Sequence, residues 1–232
     1  MEQASYAGAM AVNRGLVKQV SMKMAPSLAS DYVRAMLDKA IDGVGPLRSV
    51  AASADSKLVD AGGDVEDAVK AWVRLHVGLA GAQGFVTNLG GIAALAAAIA
   101  ANVLGVTLVQ CHLVAGIAHL RGYDLEDPRV RNAILACILG EDEVRDLVRT
   151  SSFPSSPMGI ATSPVHDPVL DELISREVTT DLVARTAGRR AITMVGRRVP
   201  LLGGVVGGGG DALTTWHIGQ YAARELRDRN VR

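Results

Sequence analysis

The sequence predicts an all-α protein: a single compact multi-helix domain around a long Ala-rich central helix. Segments rich in Ala, Leu and Val repeat their apolar residues with a period near 3.6, whereas the alternation typical of strands is nearly absent. In addition, residues 75–120 run for 46 positions without one Lys, Arg, Asp or Glu. Such a stretch must be buried in protein or in lipid, because a solvated helix of that length needs a polar face.

The first half of the chain carries clear helix boundary signals. Gly43 follows the first amphipathic segment, and Asp64 is a good N-cap for the third. We expect the third helix to lose regularity after about residue 79, because Gly81 and Gly84 disfavour a helix. Gly122 ends the central helix. The predicted helices of this half span residues 27–41, 47–59, 65–79 and 92–120.

The second half begins its helices at prolines and ends them at glycine or proline. Asp127-Pro128 suits a first helical turn, Gly140 ends that helix, and Pro200 breaks the chain before the last one. Residues 150–168 contain four prolines and five serines, which predicts one long exposed loop. The predicted helices of this half span residues 128–139, 141–149, 167–195 and 202–227.

Composition limits the function classes. Basic and acidic residues number 24 each, and aromatics make up only 3%, so neither bulk charge nor stacking surface supports a nucleic-acid partner. Residues 1–26 have no secretory signal pattern, and we assign them to an N-terminal helical extension preceding one helical domain over residues 27–232. Cys111 and Cys137 fall in apolar patterns typical of buried free thiols, so we expect a cytoplasmic protein.

Small and polar residues around the uncharged run are candidates for a ligand site. His112 and His119 are seven residues apart, so they share one helix face and lie about 10 Å apart along the axis. This separation favours buried or capping roles over a proton-transfer or ligand role. Asp124 and Asp211 could equally cap nearby backbone amides. No metal or cofactor is predicted. The candidate ligand-binding residues are Asn88, Gly90, Gly91, His112, His119, Asp124, Asp211, Thr215 and His217.

Eight residues, 203–210, include six glycines. The segment lacks the Gly-Lys-Ser/Thr that a phosphate-binding P-loop needs, and no strand precedes it. Gly203 and Gly207, like Gly204 and Gly208, are four apart and would form a stripe without side chains. We therefore interpret the segment as a surface for close helix packing, with ligand contact as the alternative.

A basic stretch directly precedes these glycines, and no acidic residue occurs between Asp181 and Asp211. Attraction to anionic lipid head groups is the functional hypothesis for this stretch; a solvated helix face and an anionic ligand are the alternatives. Its candidate lipid-binding residues are Arg189, Arg190, Arg197 and Arg198.

Two segments resemble the EcsC protein family. The first is Gly-Phe-Val-Thr-Asn-Leu-Gly-Gly at 84–91, followed by the apolar helix and Gly-Tyr-Asp at 122–124. The second runs from 199 through the glycine cluster to Thr215, then Ile-Gly at 218–219. The resemblance covers about residues 30–228. It implies a bacterial cytoplasmic helical protein associated by name with an ABC-transporter operon, and no catalytic residues carry over. Where the family often has a Pro before the long helix, this chain has Ile-Ala-Ala-Leu at 92–95.

Three functional hypotheses follow. The first is a non-enzymatic accessory protein at the inner face of the membrane, contacting anionic lipid or a membrane protein such as an ABC transporter. The second is a small-ligand-binding protein or enzyme. Its site would combine the loop residues Asn88, Gly90 and Gly91 with Asp124, Asp211, Thr215 and His217. The third is an interaction module using the Pro/Ser-rich loop.

Overall fold

The computed structural model describes residues 26–45, 47–88, 95–195 and 200–229, and over these residues the chain is all-α, as the sequence predicts. Within the described part, an isolated bridge between Val44 and Leu47 is the extended pairing. The described helices are α1 (Pro26–Asp42), α2 (Val50–Asp60), α3 (Val65–Asn88), α4 (Leu95–Leu120), α5 (Pro128–Leu139), α6 (Glu141–Arg149), α7 (Pro157–Ala161), α8 (Pro168–Val195) and α9 (Pro200–Glu225).

The central helix of the fold is α4, which packs against α1, α2, α3, α5 and α9. Because these helices surround it, the C-terminal half of α4 has no face exposed to solvent. Its residues from Cys111 to Ala118 are all buried. This confirms the predicted Ala-rich central helix and explains why its sequence carries no charge.

Helix α3 runs antiparallel to both α4 and α9. Near its start, Glu66 pairs with Arg121 at the end of α4, and further along the indole Nε1 of Trp72 donates to the Leu113 carbonyl at 3.0 Å. Val73 lies against Gly219 of α9. These contacts place the C-terminal half of α3 beside the N-terminal halves of α4 and α9. The three segments therefore extend toward the same end of the molecule.

Local capping signals in the sequence are confirmed. Asp64 Oδ1 accepts the Asp67 amide at 2.8 Å, and Asp127 Oδ1 accepts the Arg129 amide at 2.8 Å. Gly122 and Gly140 end their helices at positive φ, +76° and +90°, where a side chain would be strained. Both cysteines are free and buried, as predicted.

Two sequence predictions are wrong. First, α3 does not end near residue 79 but continues through Gly81 and Gly84 to Asn88. Each glycine disfavours the helix by about 1 kcal/mol, and the extensive packing of α3 on α4 and α9 outweighs that cost.

Second, the segment from 150 to 168 is not one exposed loop. It contains the short helix α7, and Phe153, Pro157 and Ile160 are buried against the core. The prolines and serines of this segment suggested a loop, but a buried apolar residue occurs at every third or fourth position.

Candidate functional site

Three helices meet at one end of the molecule in segments without exposed charge. We call this the uncharged end: residues 75–88 of α3, 95–112 of α4 and 200–217 of α9. Its one acidic residue, Asp211, is fully buried, and it contains no Lys or Arg. Arg74 is the last charged residue of α3 before this end. The other half of the same helices carries the charges, including Glu66, Lys70 and Arg224.

Large apolar side chains are exposed at the base of the uncharged end. The α3–α9 alignment places Leu79 level with Leu213, and Leu75 close to the level of Trp216. The exposed fractions are 42% for Leu75, 41% for Leu79, 58% for Leu213 and 45% for Trp216. His217, an exposed candidate residue, packs its ring edge-on to Trp216 at 4.9 Å between centroids. An indole with an apolar body and a polar N–H suits a boundary between water and lipid.

The candidate arginines are connected to this end through α8. Helix α8 ends at Val195 and α9 begins at Pro200, so the two helix termini lie within about 18 Å of each other. Arg189 and Arg190 belong to the last turns of α8, and their side chains are outside the described set. Arg197 and Arg198 fall outside the described residues, as do Gly90 and Gly91.

Arg185, the first arginine of the basic stretch, faces protein instead. Its guanidinium donates to the carbonyls of Ile138 and Leu139 at 3.2 and 2.9 Å, at the end of α5, and it pairs with Asp181 at 2.6 Å. A cation at a helix C-terminus interacts favourably with the helix dipole. The stretch is therefore divided, and only the residues after 185 remain candidates for lipid.

Asp211 and Thr215 lie one turn apart on the buried face of α9. Opposite them on α4, Gln110 donates through Nε2 to Thr215 Oγ1 at 3.3 Å, and Thr107 is also buried. The Thr107 hydroxyl and the Gln110 carbonyl oxygen have no hydrogen-bond partner among the described residues. Of the candidates on α9, the structure thus brings Asp211 and Thr215 together and places His217 on the solvent side. Thr107 and Gln110 were not among the predicted candidates; their signal in the sequence is two polar residues three positions apart in an apolar helix.

The two histidine candidates on α4 have different partners. His119 Nε2 contacts Asp55 of α2 at 2.8 Å near the surface. His112 is buried and pairs with His76 of α3, with 2.8 Å between His112 Nδ1 and His76 Nε2. The indole of Trp72 stacks on the His112 ring at 5.0 Å between centroids and contacts the His76 ring at 4.3 Å in a tilted arrangement.

Burial controls the protonation of this pair. Desolvation lowers the pKa of His76 to about 4, against the opposing effect of the Trp72 carbonyl, and it also lowers the pKa of His112. Both rings are therefore neutral near pH 7. Among the described residues, no group of three or more His, Cys, Asp or Glu side chains is arranged to hold a metal ion. His76 was not among the predicted candidates, although its spacing of four from Trp72 puts both on one helix face.

Asp124 follows the C-terminal end of α4 and lies away from the uncharged end. It lines a cleft of about 280 Å³ together with Asp127, Arg129 and Arg229. Its Oδ1 accepts the Glu126 amide at 2.9 Å, which is the capping role left open by the sequence. The hydrogen bonds from Arg129 hold the pKa of Asp127 below its usual range, so these two charges offset each other.

The structure separates two members of the predicted combined site, Asn88 and Asp124. Asn88 ends α3, whereas Asp124 follows α4 at the level where α3 begins, as the Glu66–Arg121 pair shows. The 22 residues from Glu66 to Asn88 correspond to about 33 Å of helix. Asn88 and Asp124 are therefore too far apart to line one small-ligand site, because the helix length separates them.

No family model, no curated protein and no solved structure matches this chain. No described helix is long and apolar enough to cross a membrane.

Proposed function

We propose that this protein binds anionic lipid membranes peripherally through its uncharged end, as a non-enzymatic accessory protein. The observation that carries the proposal is the exposure of Leu75, Leu79, Leu213 and Trp216 around an end that contains no lysine or arginine. Exposed apolar patches rimmed by polar residues mark interaction surfaces, and a Trp among leucines is typical of the membrane interface.

Charge complementarity favours a lipid occupant over a neutral protein surface. Four arginines without a neighbouring acid lead from α8 into the uncharged end: Arg189, Arg190, Arg197 and Arg198. Each basic residue near an anionic leaflet contributes about 1 kcal/mol at low salt. Apolar burial and arginine attraction would then act at the same end of the molecule, which is the usual combination for peripheral binding.

The test is co-sedimentation of the full chain with vesicles containing phosphatidylglycerol. We expect binding that falls with added salt, and a loss of up to about a thousandfold in partitioning when the four arginines become Gln. A matched control removes four exposed arginines elsewhere: Arg145, Arg149, Arg176 and Arg227. Absence of binding by the unmodified protein, or equal weakening by the two quadruple variants, would overturn the proposal.

A second candidate function is small-ligand binding between α4 and α9. The observation in its favour is that two buried polar atoms, one each of Thr107 and Gln110, have no partner within the described part of the chain and lie near the buried Thr215. An orphaned buried polar group usually destabilises a protein by about 1–3 kcal/mol, so its retention needs an explanation. The variant Gln110→Leu should stabilise the protein if no ligand binds there. If native mass spectrometry detects a molecule bound to the unmodified protein and not to Gln110→Leu, the result favours the ligand hypothesis.

Membership of the EcsC family and an ABC-transporter partner rest on sequence resemblance, and both stay predictions. The packing role of Gly203, Gly204, Gly207 and Gly208 also stays a prediction, since their surroundings lie outside the described side chains. Helix α9 does run through the cluster, so its backbone is helical and not a phosphate-binding loop.

A further inference from the structure

Four side chains that carry oxygen atoms are buried between α4 and α9 within the uncharged end. Thr107 and Gln110 belong to α4, Asp211 and Thr215 belong to α9, and each of them is at most 1% exposed. The surrounding residues of both helices are mostly apolar. Polar groups buried in such an interface destabilise a protein unless other polar groups or an ion satisfy them.

The register of α4 and α9 follows from two contacts. Gln110 Nε2 donates to Thr215 Oγ1 at 3.3 Å, and about one turn further along both helices Leu113 lies against Gly219. Both chains therefore advance in the same direction between the two contacts, which makes α4 and α9 parallel neighbours.

The same register places the four oxygen-bearing side chains in one cluster. One turn before the contact between Gln110 and Thr215, α4 has reached Thr107 and α9 has reached Asp211, three and four residues earlier in the chain. Because Thr107 and Asp211 are both buried, they lie level with each other on the facing sides of the two helices.

Two oxygen atoms of this cluster require a further partner. The Thr107 hydroxyl and the Gln110 carbonyl oxygen make no hydrogen bond within the described part of the chain. The hydroxyl, amide and carboxylate oxygens of the cluster are hard donors, and it contains no sulfur or imidazole ligand. Such a set suits a hard cation, which can contact several oxygens at once.

The single carboxylate of the cluster selects the charge of the ion. Calcium sites usually combine several carboxylates among about six to eight oxygens, and magnesium keeps several waters. One positive charge balances Asp211, whereas a divalent ion would leave a net charge buried in an apolar interface. A proton on Asp211 would balance the charge too, but its one hydrogen bond could satisfy only one of the two remaining oxygens.

We propose that Thr107, Gln110, Asp211 and Thr215 bind one monovalent alkali cation, Na⁺ or K⁺, between α4 and α9. The proposal rests on the second candidate function, ligand binding between these two helices, and it names the class of ligand. Asp211 supplies the balancing charge, and the uncharged oxygens replace water around the ion. The bound ion holds α4 and α9 together at the uncharged end, and its binding does not require lipid.

Urea denaturation of the full chain in NaCl, KCl and choline chloride at equal ionic strength tests the proposal. Choline has the same charge but is too large to enter a buried cluster. When Na⁺ or K⁺ is about tenfold above its dissociation constant, the unfolding equilibrium constant should be about tenfold smaller than in choline. Equal stability in the three salts would overturn the proposal, as would stabilisation by CaCl₂ or MgCl₂ alone.

Two nearly isosteric variants assign the effect to the cluster. Asp211→Asn removes the charge and should abolish the difference between the salts, and Thr107→Val removes one oxygen and should reduce that difference. The controls are Asp142→Asn, whose side chain is 97% exposed, and Thr214→Val, whose hydroxyl donates to the Gly210 carbonyl at the surface of α9. A difference that persists in Asp211→Asn, or that disappears in either control, would overturn the proposal.

Native mass spectrometry separates failure of the ion from failure of the site. If the salts are equivalent but an organic molecule is bound to the unmodified protein and absent from Gln110→Leu, a ligand binds between the helices and the alkali cation is wrong. If the salts are equivalent, no molecule is bound and Gln110→Leu is more stable in every salt, then the ion and the second candidate function both fail.

Discussion

Arg121 carries its guanidinium into the protein where α4 ends. It donates to the carbonyls of Ala223 and Leu226 at the end of α9, the latter at 2.7 Å, and pairs with Glu66 at the start of α3 at 2.6 Å. Its own carbonyl accepts the Arg229 amide at 3.0 Å. One side chain thus joins the charged ends of the three helices whose other halves form the uncharged end.

We predict that Arg121→Met lowers the free energy of unfolding by about 2–4 kcal/mol, because the carbonyls that end α9 lose a buried charged donor. Urea denaturation measures the change. The control is Glu66→Gln, whose side chain is 58% exposed and whose ion pair should contribute less than about 1 kcal/mol. If both changes lower the free energy of unfolding by the same small amount, the hydrogen bonds of Arg121 do not stabilise the ends of these helices.

The histidine pair gives the protein a stability that depends on pH. The pKa of His76 is about 4 in the folded protein and 6.5 in the unfolded chain, so the unfolded chain takes up the proton first as pH falls. This contribution is complete above about pH 6.5 and is lost between pH 6.5 and 4, to the extent of on the order of 2–3 kcal/mol.

Denaturation at pH 7.5 and 4.5 should show a smaller loss for His76→Gln than for the unmodified protein. The exposed His217→Gln serves as the control and should keep the full loss. A loss of the same size in all three proteins would assign the acid sensitivity to other groups.

The roles of residues whose hydrogen-bond partners are close in the chain could be predicted from the sequence. Asp64 and Asp127 cap helices that begin within three residues of them, so spacing alone predicts their roles. The His76–His112 contact spans 36 positions, and the Gln110–Thr215 contact spans 105. No periodicity contains that information, because it depends on how three helices align.

At the scale of helices, close approach decides the packing of α3 on α4. Gly116 lies directly under the indole of Trp72, and a β-carbon at this position would overlap the ring. The small residue is what lets Trp72 insert between the helices and reach the Leu113 carbonyl. Helix α3 also continues beyond residue 79 because of packing. Its contacts with α4 and α9 outweigh the low helix propensity of Gly81 and Gly84.

We predict that Gly116→Ala destabilises the protein by about 1–3 kcal/mol despite the better helix propensity of Ala, because the indole must move. The matched control is Gly78→Ala on α3, where the added methyl meets nothing within 4 Å. That change should be neutral or stabilising by up to about 1 kcal/mol. Thermal melts compare the two, and a stable Gly116→Ala would mean that the ring is not held where the structure places it.

For the whole molecule, composition and periodicity were enough to predict an all-α domain around an apolar helix, because they report on burial. They could not predict where exposed apolar residues gather. The pair Leu75 and Leu79 is far in sequence from the pair Leu213 and Trp216, and the two pairs lie at the same height only because α3 and α9 run antiparallel. The uncharged run itself did not distinguish core from lipid contact: its α4 part from Cys111 to Ala118 is core, and its α3 part presents leucines to solvent.

Quenching of Trp216 by brominated phosphatidylglycerol vesicles tests most directly whether the uncharged end contacts the membrane. Trp216 is 45% exposed at that end, while Trp72 is fully buried in the core, so the difference in emission between the unmodified protein and Trp216→Phe isolates Trp216. We predict strong quenching of the unmodified protein and little quenching of Trp216→Phe when both co-sediment with the vesicles. Binding to the vesicles without quenching of Trp216 would place another surface at the membrane and contradict the proposal.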